Sequence, residues 1–233
     1  MNRTLDVVTS WTASVFRGTS GLSVGPLGPR PAQTLRLYEF ENCPFCRLVR
    51  EALSMLDLEA DVLPCPPGGE RFRPEAERLG GKRQFPFLVD PNTDTSLYES
   101  GEIIAYLYRT YGSGSPPLSL RLRPLALPTS SVTSALRAPT ARATPSTAPA
   151  RPLELWSFEA SPYCRIAREA LCRLELPYRL HNVAKKSPSR AAFRARPDFV
   201  KMMVPFLHDP NTGKSLYESA DIVRYLDETY GAR

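Results

Sequence analysis

The sequence predicts a duplicated α/β protein: two units of order β-α-β-α-β-β-α, each built on a mixed four-stranded sheet, joined by a proline-rich linker. Two observations carry this. The stretch from Leu37 to Leu53, LYEFENCPFCRLVREAL, returns at Leu155 to Leu171 as LWSFEASPYCRIAREAL, an offset of 118. Later blocks recur in the same order at an offset of 119: Phe85-Pro86-Phe87-Leu88 is answered by Val204-Pro205-Phe206-Leu207. Asp90 to Thr93 is answered by Asp209 to Thr212, and Ser96 to Ser100 by Ser215 to Ser219. The one-residue drift falls in the middle of the unit, where duplicated folds change loop length.

These matches divide the chain into an N-terminal arm over 1–34, a first unit over 35–112, a linker over 113–152 and a second unit over 153–233. Each unit is about 80 residues, small but able to hold a core of its own. The linker carries eight prolines and no acidic residue, a composition that buries too little apolar surface to offset the entropy of ordering. A weaker echo links Thr9–Arg17, ahead of the first unit, with Thr129–Arg137, ahead of the second. It reads either as a short leading arm on each unit or as two unrelated Ser/Thr-rich tails.

Within a unit, residues 35–40 mix apolar and β-forming side chains ahead of a polar stop, which suits a strand. Pro44 then opens a helix at its first position, where the missing N–H costs nothing. Leu48, Val49, Ala52, Leu53 and Leu56 fall on one helical face, and Ile166, Ala167, Ala170, Leu171 and Leu174 repeat it. A second strand is expected near Glu59–Leu63 and near Tyr178–Val183, followed by a Pro- and Gly-punctuated stretch with one short helix. Phe85–Val89 and Ser96–Tyr98 read as a hairpin around the Asp-Pro-Asn-Thr turn, and Ser100 as the cap of a last helix carrying Ile103, Ile104 and Leu107 inward. Two parallel strands with a crossover helix, then a hairpin and a closing helix, make a layered α/β unit.

The net charge of +6 raises the possibility of nucleic-acid binding. Counted by segment, the first unit has nine basic against thirteen acidic residues, so the excess lies in the linker and the second unit. No helix face gathers Arg and Lys with interleaved aromatics, and no nucleic-acid partner is expected. No run reaches the roughly 18 to 20 apolar residues of a membrane span. No secretory leader pattern opens the chain. Five cysteines in 233 residues are unlike a secreted disulfide framework, and a reducing cytoplasm is the expected location.

Three signatures stand in order in each unit: Cys43-Pro44-Phe45-Cys46 or Ser161-Pro162-Tyr163-Cys164 after the first strand, a proline opening the third strand, and Glu-Ser at the start of the last helix. On these, each unit resembles a glutaredoxin, or the N-terminal glutathione-binding domain of glutathione transferases, over nearly its whole length. The chain looks like a tandem of two such thioredoxin-like domains.

Cys43 stands at the expected N-cap, where unpaired backbone N–H groups and the helix dipole favour thiolate. It is the expected nucleophile. Cys46, one turn on, is the expected resolving thiol. Arg47 next to it either adds positive potential or is simply a solvated helix residue. The resemblance implies that the prolines at 86 and 205 are cis, and that Phe85 and Val204 offer backbone groups to the cysteinyl part of glutathione. It also implies that Glu99 with Ser100, and Glu218 with Ser219, hold its γ-glutamyl end, the helix N-terminus receiving a carboxylate. Ser161 has two readings: a hydroxyl that stabilises a bound glutathione thiolate, or only a helix cap. Cys164 and Cys172 read as inert core thiols, and Cys65, between two prolines, as either a loop thiol or an extra resolving group.

The expected function is glutathione-dependent thiol–disulfide exchange, with glutathione as co-substrate and disulfide or glutathionylated molecules as substrates. One alternative is a non-catalytic glutathione-binding protein, or a scaffold holding an iron–sulfur cluster between Cys43 and glutathione. A glutathione transferase is the other, less favoured because the helical domain that follows this unit in such enzymes is not expected here. No metal site is expected, since His181 and His208 lie in the unit without the Cys-x-x-Cys pair.

Overall fold

The computed structural model describes residues 21–121 and 142–232. The two segments that echo one another, 9–17 and 129–137, lie outside the described residues. The first unit runs β1 (Leu35–Glu39), α1 (Pro44–Met55), β2 (Ala60–Pro64), α2 (Arg73–Gly80), β3 (Phe87–Asp90), β4 (Thr95–Leu97) and α3 (Ser100–Tyr111), with a short α4 (Leu118–Arg121) after it. The second runs β5 (Leu153–Ser157), α5 (Pro162–Arg173), β6 (Tyr178–Asn182), α6 (Ser189–Arg194), β7 (Phe206–Asp209), β8 (Lys214–Leu216) and α7 (Ser219–Tyr230). Both are thioredoxin-like, as the repeated order requires.

In each unit the first two strands are parallel and joined by the helix between them, while the third and fourth form an antiparallel hairpin on the far side of the first. The units are fused edge to edge. β2 pairs antiparallel with β6, Ala60 opposite Leu180, Asp61 opposite Arg179 and Val62 opposite Tyr178, giving one eight-stranded sheet of order β4-β3-β1-β2-β6-β5-β7-β8. Arg179 reinforces this seam with two bonds to the Asp61 carboxylate, at 2.8 and 3.1 Å. The pairing covers the two strand edges that would otherwise lie open to other chains. On one face of the sheet a single apolar core runs through both units, from Leu35, Leu48 and Leu53 to Leu155, Leu171 and Leu226.

The hairpin turn is anchored from inside. Asp90 accepts hydrogen bonds from Tyr106 at 2.6 Å and Tyr111 at 2.5 Å, and Asp209 accepts from Tyr225 and Tyr230, each at 2.6 Å. Burial opposes the charge on Asp90, but the tyrosine and Asn92 bonds outweigh it and hold the carboxyl below its ordinary range.

The segments ahead of each unit are laced down in parallel fashion. Val24 N–H donates to Lys185, Gly25 to Met55 and Gly28 to Tyr111; on the other side Ala143 donates to Pro67, Thr144 to Arg173 and Thr147 to Tyr230. Each lace therefore ties the two helix ends of its own unit to a loop of the opposite unit. Residues 142–152, read from composition as linker, are docked in this way: Thr144 and Thr147 find carbonyls left free at the C-termini of α5 and α7, and Ala143 finds the loop carbonyl of Pro67.

Candidate functional site

α1 starts as its residues dictate. Pro44 occupies the first turn, and Cys43, extended at φ −80 and ψ 121, is the N-cap whose sulfur accepts the Cys46 N–H at 3.3 Å. Ser161 does the same in α5, its Oγ accepting the Cys164 N–H at 3.3 Å. The Cys43 thiol is held below its usual pKa, chiefly by its hydrogen bond with the Cys46 side chain and then by backbone N–H groups, against the opposing effect of burial. Cys46 is shifted the other way, well above the usual thiol value, first by burial and then by Cys43 itself. Of the pair only Cys43 retains surface, 4 % against 0 %.

Both Phe85–Pro86 and Val204–Pro205 are cis. The Cys43 sulfur lies 4.0 Å from the Phe85 carbonyl oxygen, which brings the thiol against the cis Phe85–Pro86 peptide ahead of β3. Next to Phe85, the Gln84 side-chain amide donates to the Glu99 carboxylate, so the Cys43, Phe85–Pro86 and Glu99–Ser100 positions form one continuous line. In the second unit Met203 stands where the first has Gln84, and Glu218 has no such amide. The caps of α3 and α7 differ from expectation: Glu99 and Glu218, with φ 61 and 59, are the N-cap residues, and Ser100 and Ser219 are the first helical residues. A left-handed turn at Glu swings the chain from β4 or β8 into the helix, and this buries the serine one position later than a capping serine would sit.

The remaining thiols are closed off. Cys65, Cys164 and Cys172 all have raised pKa values with burial as the leading cause, and Cys65 packs with Tyr38, Ala76 and Phe87. Cys65 is therefore a buried core thiol rather than a loop thiol open to solvent.

Sequence reasoning missed the polar faces of α1 and α5, which are buried against each other. Arg47 is not a solvated helix residue but 3 % exposed, bonded to Glu51 at 3.3 Å and reaching Glu159 of the other unit at 3.7 Å. Arg165 mirrors it, 3.6 Å from Glu41 and 3.7 Å from Glu169. Arg50 reaches Glu159 at 3.0 Å and Glu41 at 3.3 Å, while Arg168 reaches Glu41 at 3.0 Å and Glu159 at 2.9 Å. Burial opposes ionisation of Glu159, but Arg168, Arg50, Arg47 and Arg165 outweigh it and bring its pKa to about 2. Because Glu41 and Glu159 each stand two residues before the N-cap, the cluster binds the Cys43 and Ser161 motifs back to back across the pseudo-two-fold axis. The signal was present in the repeat, where all eight charges recur at equivalent positions.

Among the described residues no helix is long and apolar enough to cross a membrane. The chain matches the family model described as glutathione S-transferase, N-terminal domain, over residues 37–116 and again over 155–233. No curated protein matches. Among solved structures it is similar to Leishmania TDR1, described as a unique trimeric glutathione transferase, at 14 % identity and a TM-score of 0.31, covering 87 % of this chain and 68 % of that one. Two matched segments that span most of the chain make it a tandem member of the glutathione S-transferase N-terminal domain family.

Proposed function

We propose that the protein is a glutathione-dependent thiol–disulfide oxidoreductase whose first unit, residues 35–112, does the chemistry. The observation that carries this reading is the opposite poise of the two thiols: Cys43 is lowered at the helix N-cap while Cys46 is raised beneath it. The low-pKa sulfur, the one of the pair that keeps any exposure, attacks, and the protonated one beneath it resolves.

The Cys43 thiolate attacks the glutathione sulfur of a mixed disulfide, forming Cys43–S–S–glutathione and releasing the substrate thiolate, which takes a proton from solvent. A second glutathione thiolate then attacks that bond, giving glutathione disulfide and restoring Cys43. Alternatively Cys46 loses its proton, attacks Cys43 and expels glutathione, leaving an internal disulfide. Phe85, Pro86, Glu99 and Ser100 are the positions that would receive glutathione, through backbone pairing at the cis-proline and charge pairing at the start of α3.

The second unit, residues 153–233, is proposed to bind glutathione without exchange. Ser161 holds the same N-cap geometry as Cys43, and Val204–Pro205 is likewise cis, with Glu218 and Ser219 at the head of α7. An alcohol forms no disulfide.

The test is reduction of a glutathionylated peptide by the full chain with glutathione as reductant. Activity is expected in the natural chain and in Cys46→Ser, and only background in Cys43→Ser; turnover retained by Cys43→Ser would refute the reading.

A further inference from the structure

The α1–β2 and α5–β6 turns are twins, and the loop of the opposite unit that closes over each differs where it meets them. Asp57 and Glu175 hold equivalent places 118 residues apart, both left-handed at φ 52 and 48. The facing loops are equivalent as well, since Gly68 and Lys186, again 118 apart, are left-handed at φ 78 and 64. At the same offset Glu70 is matched by Pro188, and Arg71 by Ser189.

Around Glu175 the loop completes the site. The backbone N–H groups of Arg71 and Glu70 donate to its two carboxylate oxygens at 3.0 and 3.3 Å. The Arg71 guanidinium caps the Leu174 and Glu175 carbonyls at 3.2 and 2.6 Å. Gly69 lies so near the carboxylate that a Cβ there would collide with it.

Around Asp57 the equivalent loop lacks these groups. Pro188 has no N–H to give. Ser189 is too short to cap the turn carbonyls, a task taken by Arg30 of the arm, which donates to Leu56 at 2.8 Å and to Asp57. The Ser189 hydroxyl donates to Oδ2 of Asp57 at 2.7 Å, but Oδ1 has no hydrogen-bond partner among the described residues, although Asp57 is only 2 % exposed. Where the second-unit turn meets the Arg71 side chain, the first-unit turn borders a cavity of about 330 Å³, with Arg30, Thr34, Asp57, Glu59 and Ser189 as its polar lining.

We propose that this cavity binds a small molecule through a primary ammonium group, with the Asp57 and Glu59 carboxylates accepting its N–H donors. A buried acceptor without a partner calls for a donor, and two carboxylates beside one guanidinium already bonded to carbonyls call for a cationic one. Glu59, bonded to His181 Nδ1 at 2.6 Å and held below its ordinary pKa chiefly by that bond, stays ionised. The last torsion of an aspartate is broad, so Oδ1 turns toward an entering donor while the other oxygen keeps Ser189. The volume holds about ten non-hydrogen atoms, the size of a diamine or an amino acid. The cavity lies at the opposite end of the twelve-residue α1 from Cys43, about 18 Å along the helix, and the inference does not rest on the redox reading.

The test titrates methylammonium chloride into the full ¹⁵N-labelled chain at constant ionic strength and follows the amide signals of Asp57, Leu58 and Ser189. Saturable shifts are expected, with tetramethylammonium, which has the charge but no N–H, giving none. Asp57→Asn should weaken binding about tenfold or more. Asparagine tolerates the left-handed backbone at this position. Ser189→Arg, which restores the side chain that the twin loop carries, should abolish binding without lowering the thermal midpoint, so the proposal stays testable even if the asparagine variant does not fold. Putrescine and glycine then separate the two sources of the ammonium group, a diamine or an amino acid, by whichever binds more tightly. Absence of saturation by all three amines up to about 50 mM, equal affinity in Asp57→Asn or Ser189→Arg, or equal binding of tetramethylammonium would overturn the proposal.

Discussion

Arg168 holds Glu41 of the opposite unit through two N–H···O bonds of 3.0 and 3.1 Å, both partners buried. A paired guanidinium and carboxylate of this kind contributes little net stability beyond apolar residues of the same shape, but removing one partner strands the other in a medium that solvates it poorly.

Glu41→Ala should therefore lower unfolding free energy by about 3–5 kcal/mol, and Arg168→Met by a similar amount. Arg165→Met should cost much less. Its Nε and Nη1 lack hydrogen-bond partners, and burial has already drawn its pKa down to about 10. Urea denaturation of the three variants separates them; equal losses at 165 and 168 would contradict the account.

The cluster predicts a stability optimum on the acid side. Glu159, depressed to about 2 from 4.5, contributes stability above pH 4.5 that is lost as pH falls toward 2. Glu39, raised from 4.5 to about 7, binds its proton more tightly in the folded state, so stability declines as pH climbs through that interval. Thermal midpoints should peak near pH 4.5 to 5. Glu39→Gln should flatten the decline toward pH 7, and Glu159→Gln the fall toward pH 2, both readable by scanning fluorimetry.

Tyr111→Phe removes one of the donors that satisfy Asp90, a carboxylate with 0 % exposure. A loss of about 1–3 kcal/mol is expected, and the same from Tyr230→Phe at Asp209. Chemical denaturation measures both. If either were neutral, the turn would not be anchored through its aspartate.

Gly28 tests the lacing of the arm. A Cβ there would stand 2.7 Å from the Gly112 carbonyl oxygen and 2.8 Å from the Tyr111 carbonyl carbon, backbone atoms that cannot swing aside. Gly28→Ala should cost about 1–3 kcal/mol and expose the arm to proteolysis near residue 28. A variant as protease-resistant as the natural chain would show that the arm is not held there.

Much of a single unit was legible in one dimension, because its cues are local. Pro44 and Pro162 mark helix starts, the apolar residues from Leu48 to Leu56 recur at helical spacing, and Cys43 and Ser161 each precede a proline where an N-cap belongs. Ser100 was misplaced by one position for a reason of the same scale: a left-handed Glu99 moves the cap back one residue, and no side-chain pattern announces it.

By itself, the sequence determined the duplication, the element order of each unit, and the difference at Cys43 and Ser161, since hydrophobic periodicity and turn chemistry act within a few residues. Tertiary structure alone decided that β2 and β6 close the two sheets into one, that Arg47, Arg50 and their twins are buried, and that Glu39 is buried with them. A charged side chain reads the same in a sequence whether water or another helix covers it. Its pKa and its energetic weight follow from that covering, which residues more than a hundred positions away supply.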